Sequence, residues 1–446
     1  METAKAFVAG CTAWTVAQWR IGWFSGDTGR VVLSASPAMR SPEAHRPVHP
    51  SVFMFLILPF GVMAGYVTVA LAYLFSQAGI PISQVAALVA MSLAPHTWKF
   101  AWAPLVDTTL SRKTWYLIAS VVSAAGILAT AVFPIKASSL PMLTIVVLVS
   151  NIAVTFLGMA TDSLMAYNTP AELKGRAGGW FQAGNLGGSG IGGGAGLWLA
   201  QRLPAQWMAG AILAVACLLC CLALLFLPEP ASTIREAKVV KTFVNVFKDL
   251  WDVAKARMGF LALFLCFLPI GSGAASNLWS AVAGDWRASA DTVALVTGVL
   301  GGILMAIGCL IGGWICDRMD RKAAYVLYGV LQAASAIGMA LTPRTEPMFI
   351  FWTCLYAVIT GLTYAGFTAF VLEAMGTGAA ATKYNVFASL SNVPIYYMTL
   401  LDGWAYTRWG AHGMLNAEAA LGLLGMVMFL VLLAGVNRFR PAPVPA

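Results

Sequence analysis

The sequence predicts an all-α membrane protein of twelve transmembrane helices arranged as two parallel six-helix repeats. Three observations predict it. The 446 residues are 59% hydrophobic and only 10% charged, with a mean hydropathy of +0.78, whereas a soluble domain carries roughly 25% charged residues. Apolar stretches, each near the ~20 residues that cross about 30 Å of hydrocarbon, recur twelve times. The third observation is an internal repeat at an offset of 210 residues, where Leu58-Pro59-Phe60-Gly61 returns as Leu268-Pro269-Ile270-Gly271, Asp107 as Asp317 and Arg112 as Lys322. Further on the offset is 207, and Arg176, Asn185 and Gly196 return as Lys383, Asn392 and Gly403.

Taken in order, the first six spans are expected at 51–75, 83–105, 115–134, 141–165, 179–200 and 206–227, and the second six at 259–283, 291–314, 323–343, 348–372, 383–406 and 414–436. Pro81, Pro134, Pro141, Pro228 and Pro347 punctuate the junctions. The chain thus divides into a basic tail (1–50), a first bundle (51–227), a connector (228–258), a second bundle (259–436) and a short tail (437–446). In the connector, Val240, Phe243, Val244, Phe247, Trp251 and Ala254 share one helical face, with Lys241, Lys248, Asp249 and Lys255 elsewhere, the pattern of a helix lying on a membrane surface. The first fifty residues hold Arg20, Arg30, Arg40 and Arg46 and an apolar patch around Trp14 to Phe24 too broken to span, without a convincing cleavable signal.

Basic residues orient the chain. With both termini inside, the inner loops hold Arg112, Lys113, Lys174, Arg176, Arg318, Arg321, Lys322 and Lys383, the tails seven more and the connector six, against Lys136, Arg202, Arg287, Arg344 and Arg408 outside. The positive-inside rule therefore places both termini in the cytoplasm. The net charge of +9 is accounted for by this asymmetry and calls for no nucleic acid.

Cys217, Cys220, Cys221, Cys266, Cys309, Cys316 and Cys354 lie in or at the ends of apolar spans and read as small hydrophobes, not as thiol or metal chemistry. The glycine run from Gly178 to Gly196 has neither a preceding strand nor a P-loop lysine, so it is helix-packing material. Gly298, Gly301, Gly302, Gly308, Gly312 and Gly313 in the eighth span supply a partner series, and helices five and eight are expected to meet.

The segment Gly313-Trp-Ile-Cys-Asp317-Arg318-Met-Asp-Arg321-Lys322 carries the most specific signal. It resembles the G-x-x-x-D-R-x-x-R-K loop of major facilitator superfamily transporters, whose two halves are parallel repeats around a midplane substrate site. A closer resemblance lies at His96-Thr-Trp-Lys99-Phe-Ala-Trp102-Ala-Pro104-Leu-Val-Asp107, which is similar to the K-F-x-W-A-P-x-x-D segment of the branch containing AmpG-like muropeptide permeases and acetyl-coenzyme A transporters. Similar segments occur in some siderophore permeases. The first-half loop departs from the signature, with Thr108 where a base is usual and one extra residue before Arg112.

The resemblance implies acid-to-loop bridges that shut an inner gate, with Asp107, Arg112 and Asp162 in one half and Asp317, Arg318, Arg321 and Glu373 in the other. Asp162 and Glu373 are also the acids expected to exchange protons. Lys99, deeper than a snorkelling lysine needs to be, is divided between recognition of an anionic group and a structural bond to backbone carbonyls. Asp402 reads as a structural partner of Arg408. Since helices one, four, seven and ten line the cavity of this fold, Tyr66, Asn151, Asn277, Tyr356, Thr360 and Tyr364 become candidate solute contacts.

The function implied is secondary active transport by alternating access, coupled to protons and importing a muropeptide-like solute. A siderophore importer, a drug or metabolite efflux antiporter and a non-transporting sensor remain as alternatives. No Walker motif or soluble nucleotide domain points to ATP. Of four histidines only His96 lies within a span, and no nucleophile or metal spacing joins it, so an enzyme is not expected. The expected partners are the solute, protons and the lipid bilayer of a bacterial inner membrane, with the protein a monomer and no cofactor.

Overall fold

The computed structural model describes residues 48–102, 105–106, 109–169, 173–228, 257–375 and 386–438, together with 244, 248, 251, 254 and 255. Among these, every regular element is helical. Residues 1–47 of the basic tail, nearly all of the connector, Asp107, Lys383 and the side chains of Lys174, Arg176 and Glu373 lie outside the described residues.

The first repeat comprises α1 (Ser51–Gln77), α2 (Ile82–Trp98), α3 (Arg112–Val132), α4 (Ala137–Asn168), α5 (Lys174–Gly190, continued through Ile191–Ala195 and Gly196–Arg202) and α6 (Gln206–Phe226). The second comprises α7 (Arg257–Leu265, resuming at Ala274–Leu278 and Trp279–Val282), α8 (Ala290–Cys316), α9 (Arg321–Leu341), α10 (Glu346–Met375), α11 (386–409) and α12 (411–438). Gly410, at φ +67°, turns α11 back into α12.

Eight of the described segments are long and apolar enough to cross a membrane, and one of them, Val386–Gly435, holds both α11 and α12. The other three crossings fall short for local reasons. In α2 the polar residues Ser83, Gln84, Ser92, His96 and Lys99 lower the hydropathy, and after Trp98 the helix tightens into the 3₁₀ turn Lys99–Ala101. Glycine dilutes the hydropathy of α5. Helix α7, expected as one span over 259–283, is interrupted between Cys266 and Gly273.

That interruption separates two copies of the same motif. In α1, Leu58-Pro59-Phe60-Gly61 runs on into Val62-Met63 and stays helical. In α7, Leu268-Pro269-Ile270-Gly271 runs into Ser272-Gly273, and both glycines take positive φ, +57° and +67°. An L side chain is strained in that region, and a Cβ at Gly271 or Gly273 would also press on Thr363 or Thr360. The position that Met63 holds in the first copy is therefore a glycine in the second.

Close packing follows the small residues. Added Cβ atoms at Gly61, Gly184 and Gly188 would strike backbone across the α1–α5 contact, and at Gly308 and Gly361 across α8–α10. Helices five and eight meet as expected, where Gly298 lies against Gly194 and Gly190 faces Val299. Such approach lets dispersion act between backbones where lipid offers no hydrophobic drive.

Bonds between the two repeats gather at one end of the molecule, near the α1–α2 turn. Ser280 Oγ donates to Thr68 O at 2.6 Å, Ser76 Oγ donates to Ala281 O, and Arg202 forms a two-pronged pair with Asp291 at 2.9 and 3.0 Å. Gly403 of α11 packs on Ile82, Ser83 and Ala86 at the start of α2. Toward the opposite end, where the Asp317–Lys322 loop lies, Asp162 and Tyr364 are exposed although protein surrounds them, so each lines a recess, called the cavity below.

Two α5 substitutions separate packing from propensity. A Cβ at Gly188 meets the Leu58 carbonyl and α1 backbone, whereas nothing lies within 4 Å of one at Gly187. Gly188→Val should destabilise the protein by about 1–3 kcal/mol or more, while Gly187→Ala should leave it unchanged or slightly better. Thermal unfolding of the purified protein in detergent checks both.

Candidate functional site

Helices α2 and α4 build the first polar cluster. His96 of α2 and Lys99 of the 3₁₀ turn that follows stand three residues apart, while Asn151 and Asp162 stand eleven apart on α4, three turns, and share a helix face. His96 is hydrogen-bonded to Asn151 and packs edge-on against Phe60 with ring centroids 5.3 Å apart. Asn151 Nδ2 also donates to Val147 O at 2.9 Å. Asp162 faces the cavity, and its electrostatic partner is Lys99. Trp102 Nε1 donates to Thr155 Oγ1 at 3.1 Å and its ring stacks on Phe156, which anchors the tight turn that carries Lys99. The cluster thus presents a cation and an anion to the cavity, with a neutral amide and an imidazole behind them.

The second cluster surrounds the break in α7. Three carbonyls of the unwound segment accept hydroxyls from other helices: Phe267 O from Tyr397 OH at 2.9 Å, Ile270 O from Tyr325 OH at 3.0 Å and Gly271 O from Thr363 Oγ1 at 3.1 Å. A pocket opens beside it, lined among others by Gly271, Ser272, Thr363, Tyr364, Phe367 and Pro394. Behind Ser272 lies a feature not foreseen from the sequence. Glu418 of α12, 5% exposed, accepts from Tyr356 OH at 2.9 Å and Ser272 Oγ at 3.1 Å, both at Oε1. Asp402 of α11 is fully buried within hydrogen-bonding reach of Glu418, so the expected pairing of Asp402 with Arg408 gives way to a carboxyl–carboxyl contact.

The remaining expected solute contacts fall in different places. Tyr364, 42% exposed, is open to the cavity and lines the α7 pocket. Tyr66 is buried and receives a long 3.4 Å bond from Thr130 Oγ1. Tyr356 is buried on Glu418, and Thr360 is buried between Gln332 Nε2, which donates to it, and Tyr356 O, which accepts from it. Asn277 Nδ2 donates to Thr399 Oγ1 of α11 at 3.2 Å. These four bond to protein and lie behind the surface that Tyr364, Lys99 and Asp162 present.

At the loops, Arg112 is buried with its guanidinium 4.3 Å from the Tyr167 ring centre, and Asp162 is engaged with Lys99. Asp317 closes the C-terminus of α8, and both it and Arg321 bear electrostatically on Cys316. Arg318 folds back over Trp314 at 3.9 Å and bonds its carbonyl. The residue that caps α9 is Asp320, which accepts from Lys322 N and Ala323 N.

The described residues form twelve helical segments in two parallel repeats with ionisable groups inside the spans, the architecture of a two-repeat membrane carrier. Residues 52–395 match the family model of the Major Facilitator Superfamily, and the chain belongs to that superfamily and is a transporter. It is 24% identical to the anhydromuropeptide permease of Escherichia coli K12 over 349 residues, 75% of this chain and 70% of the permease. Among solved structures, the nucleoside transporter NupG shares its fold with a TM-score of 0.67 at 13% identity, over 86% of this chain and 98% of that one. The xylose transporter XylE from E. coli, in a partially occluded inward open conformation, superposes with a TM-score of 0.64 at 14% identity, over 89% of this chain and 99% of that one.

A double-mutant cycle measures whether Lys99 and Asp162 act as a pair. Lys99→Gln and Asp162→Asn each leave a charge without its partner, so the double variant should be more stable than the two single losses predict. Because Asp162 faces the aqueous cavity, screening holds the coupling to about 0.5–1 kcal/mol. Additive losses in thermal unfolding would mean that the two groups are independent.

Proposed function

We propose that this transporter imports a muropeptide-like solute across a bacterial inner membrane, driven by protons, with both termini in the cytoplasm. The observation that carries the substrate class is the sequence match to an anhydromuropeptide permease over three-quarters of the chain. The cavity chemistry supports it. A muropeptide joins a sugar to a peptide bearing carboxylates, and Lys99 offers a cation at the cavity wall while Tyr364 offers an aromatic face with a hydroxyl at its rim. Asp162, beside Lys99, holds that cation in place before the solute arrives and competes with it afterwards.

Alternating access then follows from the geometry. The repeats are joined by Arg202–Asp291 at one end, and Asp162 and Tyr364 are exposed toward the end of the Asp317–Lys322 loop. With the basic loops inside, that exposed side is the cytoplasmic one. Closure of the cytoplasmic end falls to the loop groups Asp107, Arg112, Asp317, Arg318, Arg321 and Glu373, and opening of the other end requires Arg202 to leave Asp291.

Radiolabelled anhydromuropeptide uptake into proteoliposomes tests the reading. Accumulation should follow an imposed inward proton gradient and collapse with a protonophore. Lys99→Gln should bind the solute more weakly, by about tenfold for one lost charge-assisted bond of ~1.4 kcal/mol, with the difference narrowing as salt rises. Affinity that is unchanged in Lys99→Gln would remove the lysine from recognition.

Topology has its own check. A single cysteine at Ser232, in a background without the native cysteines, should react in whole cells only with a membrane-permeant reagent. Reaction with an impermeant one would invert the orientation.

A further inference from the structure

We propose that Asp402 and Glu418 form one proton-binding site, and that its occupancy sets the conformation of the break in α7. The inference rests on the transport reading above and adds to it the site of the coupling proton.

Geometry leads to it. Gly410 folds α12 back along α11, and Asp402 and Glu418 stand eight residues on either side of that turn, so both lie about 12 Å from it along their helices and face one another. Asp402 Oδ1 and Oδ2 and Glu418 Oε2 are buried and have no donor, although the two carboxyls lie within hydrogen-bonding reach. Two carboxylates can only accept, so the contact is a hydrogen bond lacking its hydrogen. One proton on the pair supplies the donor and removes one of two adjacent negative charges from an apolar interior.

The groups facing the pair are few. Helix α7 contributes Ser272 and the Ala275 N–H, α10 contributes Tyr356, and α11 contributes Tyr397 beside Asp402 itself. Against α11, α2 presents Ile82, Ser83 and Ala86. Each hydroxyl and amide here is neutral, so the charge of the site is set by the carboxyls.

Ser272 links the site to the cavity. Its hydroxyl donates to Glu418 Oε1 and receives Ala274 N at 3.3 Å, the first amide of the resumed helix, and its residue lines the pocket beside the break. On release, the carboxyl O–H bond breaks, its electron pair stays on oxygen and the proton passes to water in the pocket. Two carboxylates then repel, and the displacement this forces on Glu418 is passed through its bond with Ser272 to the Gly271–Gly273 segment. Return of the proton reverses it.

Two measurements on the purified full chain test this. Infrared difference spectra between low and high pH should show a protonated-carboxyl stretch in the wild type that is lost in both Asp402→Asn and Glu418→Gln, with thermal unfolding confirming that each variant is folded. Absence of the band in the wild type, or its survival in both variants, overturns the proposal. In proteoliposomes with anhydromuropeptide, Glu418→Gln should lose gradient-driven accumulation and keep solute exchange at equal pH. Retention of driven accumulation, or wild-type accumulation driven by sodium in place of protons, also overturns it. If the wild type does not carry anhydromuropeptide at all, the substrate reading fails while the infrared result still decides the proton site.

Discussion

A backbone in hydrocarbon must find every hydrogen-bond partner within the protein, because no water is there to supply one. In this transporter that constraint is most severe at Cys266–Gly273, where α7 stops being a helix inside the membrane. The second repeat is arranged around it. Tyr325 from α9, Thr363 from α10 and Tyr397 from α11 each send a hydroxyl to one of its carbonyls. Ser272 in turn ties it to α12 through Glu418. Four helices thus converge on one unwound segment, and a shift of any of them changes how that segment is held.

The two repeats share a plan and differ in chemistry. In the first, the Leu58–Gly61 motif is continuous helix, and the ionisable groups, Lys99 and Asp162, face the cavity as a pair of opposite sign. In the second, the same motif is broken, and the ionisable groups, Asp402 and Glu418, have the same sign and are buried behind the cavity wall. Opposite charges at a wet wall suit contact with a polar solute, since water lowers the cost of separating them. Like charges in a dry interior respond to a proton, since nothing else nearby compensates them. A duplicated scaffold therefore carries two unlike polar sites, one in each repeat.

Much of this was legible in the sequence, and for identifiable reasons. Span length and apolarity are one-dimensional properties imposed by the bilayer, so the twelve crossings and the repeat could be read directly. The α5–α8 contact was also readable, because close backbone approach demands small residues on both partners and leaves matching glycine series. The motif loop at Asp317–Lys322 identified the superfamily because its spacing is local. Lys99 stood out because a lysine within a span is costly to place.

Glu418 did not stand out, since a lone acid near a helix end reads as a charge bound for the interface, and Asp402 was matched to Arg408, its neighbour in sequence. Their contact joins residues on opposite arms of a hairpin whose register depends on where Gly410 turns the chain, and no local pattern records that register. The break in α7 was hidden in the same way: an apolar run with two glycines is compatible with a helix, and here the glycines take positive φ while hydroxyls from three other helices replace the lost backbone bonds. The sequence by itself determined the membrane class, the crossings, the duplication and the family, because each is written in composition or in spacing along one segment. Only the tertiary structure decided which buried polar groups face each other, because that depends on distances between segments far apart in the chain.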